Sequence, residues 1–187
     1  AIGCAVAKGI DEGIVGMQLT AVSVRDTPST QACLQALVSK PTIVPSEQIG
    51  DYADIVIECA GAELLKQIAP SVLRSGKYLL VLSSGALLNS PELLSLADEH
   101  RSKILIPSGA IGGLDAVAAM AQGNIRSARL ITTKPPAALR DVTWLADHGI
   151  DPDRLQKPTL VFSGPVIDAV RHFPANLNVA AALSLAG

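Results

Sequence analysis

Short apolar runs alternate along the first half of the chain with longer segments in which apolar residues recur every three or four positions. The short runs show no polar alternation, which is typical of strands buried in a parallel sheet, whereas the longer segments have the period of helices. Strands are predicted over 19–24, 54–59, 77–82 and 103–106. Helices are predicted to begin within 1–10, near Pro28, at Ala62 and after Ser90-Pro91. This order predicts an α/β fold with a doubly wound parallel sheet.

The pattern changes after Ile106, which predicts one domain over 1–106 and a second over 107–187. In the second domain, helices are predicted over 113–121, 166–172 and 176–185, and strands over 127–133 and 158–162. We therefore expect the second domain to be of the α/β or α+β type.

Composition excludes several classes of protein. Apolar residues make up 49% of the chain and charged residues 17%, which predicts a folded protein. The longest apolar stretches, 78–82 and 179–185, are shorter than the roughly 20 residues that span a bilayer, and no secretion signal opens the chain. A cytoplasmic protein is therefore expected. A net charge of −2 without a basic cluster, and only 3% aromatic residues, argue against nucleic acid as a partner.

The three cysteines, Cys4, Cys33 and Cys59, are widely spaced and form no Cys-x-x-Cys pair. This spacing fits neither a disulfide framework nor a zinc site, so we expect reduced thiols and no metal. Cys59 has no basic neighbour in the sequence and is expected to pack rather than to act as a nucleophile.

Small residues follow three of the predicted strands, at 60–61, 83–85 and 108–110. Ligands of doubly wound sheets bind at the carboxyl ends of the strands, so these loops, with Ala60 and Gly61 among them, are candidate binding residues. Glu58 ends a buried strand, and its carboxylate is expected to cap a neighbouring loop or helix.

Two features near the amino end indicate a dinucleotide. Ile2 and Gly3 match the last part of a Gly-x-Gly-x-x-Gly turn, which brings backbone N–H groups and a helix N-terminus against a pyrophosphate. About twenty residues further on, Arg25 can accept a 2′-phosphate and Asp26 can bind ribose hydroxyls. Having both side by side leaves the choice between NAD and NADP open.

Two segments of the second domain carry further candidates. Ala110 is bracketed by glycines, which allow a planar ring to approach the bare backbone. Asn176 is expected to cap the last helix, whereas Asn178 lies in the first turn, where its carboxamide can reach a ligand.

Taken together, these stretches resemble the L-aspartate dehydrogenase family, whose enzymes serve NAD biosynthesis. The matching residues lie in order at 1–3, 56–61, 83–87, 107–115, 134–136, 162–164 and 173–180. The most specific strings are Ser-Gly-Ala-Ile-Gly-Gly-Leu-Asp at 108–115 and Phe-Pro-Ala-Asn-Leu-Asn-Val-Ala at 173–180.

The resemblance implies a Rossmann-type dinucleotide-binding domain followed by a catalytic domain. It implies NAD or NADP as cofactor, with nicotinamide contacts at Ala110 and Asn178. The implied reaction is hydride transfer from Cα of L-aspartate to nicotinamide C4. Iminoaspartate is the product, and it hydrolyses to oxaloacetate and ammonia or feeds quinolinate synthesis. A homo-oligomer, a dimer, is expected.

The chain departs from the family at two places. The family's first strand and its Gly-x-Gly precede the Ala-Ile-Gly match, and its catalytic histidine lies beyond the helix that ends at Gly187. We therefore expect both domains to be incomplete, assign no catalytic residue, and expect little turnover from the chain alone. Its own histidines lie among charged or surface-like neighbours and are expected to be solvated: His100, His148 and His172.

Two alternatives remain open. A related amino- or hydroxy-acid dehydrogenase, such as a homoserine dehydrogenase-like protein, would share the dinucleotide features, but the Asn-x-Asn string and the Gly-Ala-Ile-Gly loop count against it. A catalytically inactive nucleotide-binding module is favoured by the absence of the first strand and of the family's histidine.

Overall fold

The computed structural model describes residues 2–25, 27–173 and 177–187. The chain divides into two compact units, Ala1–Pro107 and Ser108–Gly187.

Unit 1 alternates helices with parallel strands. Its strands are β1 (Ala21–Val22), β2 (Thr42–Ile43), β3 (Ile55–Glu58), β4 (Tyr78–Val81) and β5 (Lys103–Leu105). Its helices are α1 (Ile2–Asp11), α2 (Pro28–Gln35), α3 (Ala62–Arg74), α4 (Ser84–Leu88) and α5 (Glu92–Glu99), with a 3₁₀ helix at Ser46–Tyr52. This alternation confirms the α/β prediction.

The strands of unit 1 form two parallel sheets rather than the single sheet that was predicted. β1 pairs with β2, while β3, β4 and β5 pair in that order. Among the described residues, no strand pairs with both β1 and β3, so the two sheets are separate. The loop predicted at 83–85 is also shorter than expected, since Ser84 and Gly85 already belong to α4.

The core of unit 1 lies where α3 packs against β4 and α5. The buried face of α3 has the helical spacing that the sequence predicted, with Leu65, Ile68, Ala69, Val72 and Leu73 inside. At the start of α2, the Thr27 side chain accepts a hydrogen bond from the backbone N–H of Thr30 at 3.2 Å. Pro28 occupies the first turn, where a backbone N–H would have no partner within the helix.

Unit 2 is built from helices joined by long irregular segments. The helices are α6 (Leu114–Met120), α7 (Thr143–Asp147), α8 (Val166–His172) and α9 (Asn178–Ala186), with 3₁₀ turns at Pro136–Leu139 and Pro152–Arg154. Its buried core contains Leu139, Leu145 and Phe173.

The strands predicted over 127–133 and 158–162 are wrong. Ile131 and Leu160 are 83% and 80% exposed, although Val161 and Phe162 at the end of the second segment pack against the core of unit 2. The reason is pairing: the described part of unit 2 contains no strand to which these segments could hydrogen-bond, and an apolar run alone does not make a sheet.

Candidate functional site

The carboxyl ends of β3 and β4 are joined by one buried carboxylate. Glu58, the last residue of β3, is 2% exposed. Its Oε1 accepts the backbone N–H groups of Ala60 and Gly61, both at 2.7 Å. Its Oε2 accepts the backbone N–H of Ser83 at 3.0 Å, and the Ser83 hydroxyl donates to Oε1 at 3.1 Å. The prediction that Glu58 caps a neighbouring loop is confirmed.

The loop after β3 is open on its outer side. Gly61 has φ +118°, a conformation that residues with a side chain rarely adopt, and a Cβ placed there would meet nothing within 4 Å. Ala60 beside it is exposed. These two residues therefore border open space.

The amino end of α1 approaches this loop. A Cβ on Gly3 would lie 3.3 Å from the Cβ of Cys59, which follows β3 directly. Ile2, the first residue of α1, is 59% exposed. The first N–H groups of a helix have no partner within the helix, and they favour an anion together with the helix dipole. Gly3, Ala60 and Gly61 are thus brought to one edge of unit 1.

Cys59 is half-buried beside Glu58. Burial, and in smaller part the negative charge of Glu58, raise the pKa of the Cys59 thiol. The protonated thiol is a poor nucleophile, so a packing role is favoured, as expected.

The other two cysteines correct the sequence analysis. Cys4 and Cys33 form a disulfide between α1 and α2, with their Cα atoms 6.1 Å apart. Wide spacing along the chain suggested free thiols, but α1 and α2 become neighbours in the fold although 29 positions separate the two cysteines.

Arg25 lies in the segment between β1 and α2 and is exposed. This segment follows the carboxyl end of β1, where sheets of this type receive the ribose of a dinucleotide. Asp26, its predicted companion, lies outside the described residues.

Ala110 lies in a glycine turn at the start of unit 2. Gly109 has φ +61°, and the N–H of Ile111 bonds to the carbonyl oxygen of Ser108 at 3.2 Å. Gly113, with φ +81°, forms the amino cap of α6. Ala110 is exposed, and its methyl group is its whole side chain.

Asn178 is the first residue of α9 and is exposed. α9 packs against α6, the helix that begins four residues after Ala110. Asn176, predicted as a cap, lies outside the described residues.

The histidines have other surroundings. The ring of His148 stacks on Trp144 with centroids 3.9 Å apart, and its Nδ1 is 2.8 Å from the Trp144 carbonyl oxygen. His172 is half-buried, and its ring centroid lies 5.3 Å from that of Trp144 and 5.7 Å from that of Phe162, so the prediction that it is solvated holds only in part. Two aromatic rings provide a packing site that its charged sequence neighbours concealed. His100 follows α5 at the amino end of β5, opposite the edge with Ala60.

Sequence reasoning missed the role of Ser83 as the second anchor of Glu58. The sequence does contain a signal for this contact: an acidic residue, Glu58, ends the apolar strand β3, and small polar residues, Ser83 and Ser84, follow the apolar strand β4. Among the residues described, no group of acidic, histidine or cysteine side chains could hold a metal ion. Nor does this part of the chain contain a helix long and apolar enough to cross a membrane.

Comparisons with known proteins cover both units. Residues 1–107 match a family model described as homoserine dehydrogenase, NAD binding domain. Residues 115–187 match one described as aspartate dehydrogenase, C-terminal.

Similar curated proteins are named L-aspartate dehydrogenases. The chain is 45% identical over 188 residues to L-aspartate dehydrogenase 3 of Bordetella bronchiseptica, covering 100% of this chain and 69% of that protein. It is 42% identical to the L-aspartate dehydrogenase of Bradyrhizobium diazoefficiens, covering 100% and 66%. The crystal structure of aspartate dehydrogenase from Thermotoga maritima superposes with a TM-score of 0.70 at 25% identity, over 95% of this chain and 68% of that one. The chain thus spans about two thirds of the length of these relatives.

Proposed function

This chain belongs to the L-aspartate dehydrogenase family, and we propose that it serves as an NAD(P)-dependent oxidoreductase acting on L-aspartate. One observation carries the proposal: the similarity to L-aspartate dehydrogenases extends over 100% of the chain and includes both units. A homoserine dehydrogenase would share the dinucleotide-binding unit, but the second unit matches the aspartate dehydrogenase model.

In this proposal, unit 1 binds the dinucleotide. The pyrophosphate lies at the amino end of α1, where Ile2 and Gly3 offer backbone N–H groups. The residues present fit such a ligand, because the loop at Ala60 and Gly61 borders open space at the same edge. Arg25 is placed to receive the 2′-phosphate of NADP.

Within unit 2, the proposal assigns cofactor contacts to Ala110 and Asn178. Gly109, with positive φ, precedes Ala110, and the Ala110 side chain is a single methyl group, so a planar ring can approach the backbone there. The carboxamide of Asn178 provides both a donor and an acceptor.

The chemistry is an oxidation at Cα of L-aspartate. The bound nicotinamide supplies the acceptor carbon, C4, for a hydride. The Cα–H bond breaks with its electron pair, the amine loses a proton, and iminoaspartate forms. Water then converts the imine to oxaloacetate and ammonia, or quinolinate synthesis consumes it. We further propose that the protein is cytoplasmic and acts as a homodimer. Light scattering of the purified chain tests whether it is a dimer.

Ligand binding tests the function. The purified chain is titrated with NADH and NADPH, and then with the oxidised cofactors in the presence of L-aspartate, D-aspartate or L-homoserine. We expect a cofactor dissociation constant in the micromolar to millimolar range. Of the three amino acids, only L-aspartate is expected to tighten the binding of the oxidised cofactor. Equal enhancement by L-homoserine would favour the related dehydrogenase, and no cofactor binding would refute the proposal.

Ala110→Leu tests the proposed position of the ring. The larger side chain is expected to weaken NADH binding by roughly 1–3 kcal/mol, the usual cost of overpacking a tight site. Ala116→Leu, an exposed position on α6, serves as the matched control. Equal affinities of the two variants would contradict the placement.

A further inference from the structure

Glu58 accepts hydrogen bonds from the two loops that follow β3 and β4. Its two carboxylate oxygens accept three backbone N–H groups and one hydroxyl, all from residues that follow β3 and β4. These charge-assisted bonds compensate for burying a carboxylate that is only 2% exposed. The backbone N–H groups of Ala60, Gly61 and Ser83 are therefore turned inward, toward the carboxylate.

This arrangement decides what the loops can offer a ligand. N–H groups that already donate to Glu58 cannot bind a phosphate, and the buried negative charge repels one. The N-terminus of α1, by contrast, favours an anion. The loops thus suit a part of the ligand that carries no negative charge, such as a ribose or a carboxamide.

We infer that Glu58 is a positioning residue, which fixes the loops after β3 and β4 so that they receive the nicotinamide nucleoside and leave the diphosphate to α1. The inference rests on the proposed function, since it assigns the two halves of the cofactor to two parts of one edge. Glu58 acts through Ala60, Gly61 and Ser83 and does not itself contact the reacting atoms.

Two substitutions separate the charge from the shape. Glu58→Gln retains one oxygen for Ala60 and Gly61, but its amide N–H₂ faces the N–H of Ser83, where the acceptor was 3.0 Å away. Glu58→Ala removes all four bonds. Glu63→Gln is the matched control, because that carboxylate lies nearby on α3, pairs with Lys66 and has a side chain 86% exposed.

The experiment measures the dissociation constants of NADH and of ADP for the wild-type chain and the three variants, with circular dichroism to confirm folding. We expect Glu58→Gln to weaken NADH binding about tenfold and Glu58→Ala about thirtyfold, as loss of one or more buried charge-assisted bonds would cause. ADP affinity stays within about twofold, because α1 is unaltered, and Glu63→Gln matches the wild type in both. Since Glu58→Gln is nearly isosteric, it keeps the test valid if Glu58→Ala does not fold.

The outcomes distinguish the positioning role of Glu58 from the proposed function of the chain. Variants of Glu58 that bind NADH as the wild type does, or that lose NADH and ADP to the same extent, would overturn the positioning role alone. A wild-type chain that binds ADP but neither NADH nor NADPH would refute the proposed function, and the inference with it.

Discussion

Gly3 and Cys59 meet so closely that a Cβ added to Gly3 would lie 3.3 Å from the Cβ of Cys59. The Cβ of Cys59 is held by the backbone and cannot turn away, unlike the far end of a flexible side chain. Gly9, in the same helix, has nothing within 4 Å of the corresponding position. A side chain at position 3 would thus crowd the end of β3, whereas one at position 9 would meet nothing.

Gly3→Ala is therefore expected to lower the free energy of unfolding by about 1–2 kcal/mol, because crowding outweighs the gain in helix propensity of up to about 1 kcal/mol. Gly9→Ala gains the propensity without crowding and is expected to stabilise the chain. Chemical denaturation measures both. Adding Cys59→Gly should relieve the cost at position 3, and a Gly3→Ala chain as stable as Gly9→Ala would contradict the close contact.

The sequence predicted those parts of the fold that depend on local pattern. The apolar runs of β3 and β4 and the helical spacing of α3 are local, and they lie where the pattern indicated. The capping role of Glu58 could also be predicted, because an acidic residue that ends a buried strand must find donors.

The remaining features depend on which distant segments meet. Ser83 reaches Glu58 because the register sets Glu58 beside Val81, and a register is not encoded in either strand alone. The Cys4–Cys33 disulfide and the absence of sheet at 127–133 have the same origin. A sequence pattern indicates what a segment can form, but its partner decides what it does form.

The disulfide predicts a redox-dependent stability of unit 1. Closing a loop over 29 positions restricts the unfolded chain and stabilises the fold by about 3–4 kcal/mol on the chain-entropy account. Reduction with dithiothreitol, or Cys4→Ser, is expected to lower the melting temperature of the oxidised chain. Cys59→Ser should leave the response to dithiothreitol intact. Identical melting with and without reductant would contradict the bond.

The hydrogen bonds of Asp11 predict that the stability of the fold depends on pH. Its Oδ2 accepts the N–H of Val38 at 2.6 Å and its Oδ1 accepts the N–H of Ser39 at 2.8 Å, which joins the end of α1 to the segment after α2. A hydrogen bond from the Ser39 side chain, followed by these backbone bonds, lowers the pKa of Asp11. A lowered pKa in the folded state stabilises the fold above the unfolded-state pKa, and this contribution is lost as the pH falls through the folded-state value.

Asp11→Asn is therefore expected to make the urea midpoint less sensitive to pH between about pH 5 and pH 2. Asp54→Asn is the control, because the Asp54 side chain is fully exposed and its ion pair with Lys77 is a surface contact. If the Asp11→Asn profile runs parallel to that of the wild type over this range, the two backbone bonds do not contribute as stated.

The proposed contact of Arg25 with the 2′-phosphate predicts that its substitution changes the affinity for NADPH more than the affinity for NADH. A charge-assisted bond to the 2′-phosphate contributes roughly 1.5–3 kcal/mol, so Arg25→Ala should weaken NADPH binding by about tenfold or more. NADH lacks that phosphate, and its affinity should change little. Arg129→Ala, an exposed arginine of unit 2, is the control. An equal effect on both cofactors would make Arg25 a bystander.

The last prediction concerns turnover, which needs a base close to the substrate amine. Histidine suits this task near neutral pH, but the chain's histidines are engaged elsewhere. His148 stacks on Trp144, and His172 lies within the same aromatic cluster. His100 is at the amino end of β5, the edge opposite Ala60. None of the three is therefore expected to accept the proton, and the 187-residue chain should oxidise L-aspartate near background.

A chimera makes this expectation testable in both directions. Replacing the 188 matched residues of the Bordetella bronchiseptica relative by this chain gives a polypeptide of about that relative's length. The chimera is expected to oxidise L-aspartate, and replacing this chain's His100, His148 or His172 by glutamine should leave kcat within about threefold, because a lost general base costs 10²–10⁴-fold. The isolated chain would contradict the prediction by turning over at about 1–10³ s⁻¹. In that case the histidine or lysine whose substitution abolishes the rate, with Lys134 as the fourth candidate, is the base.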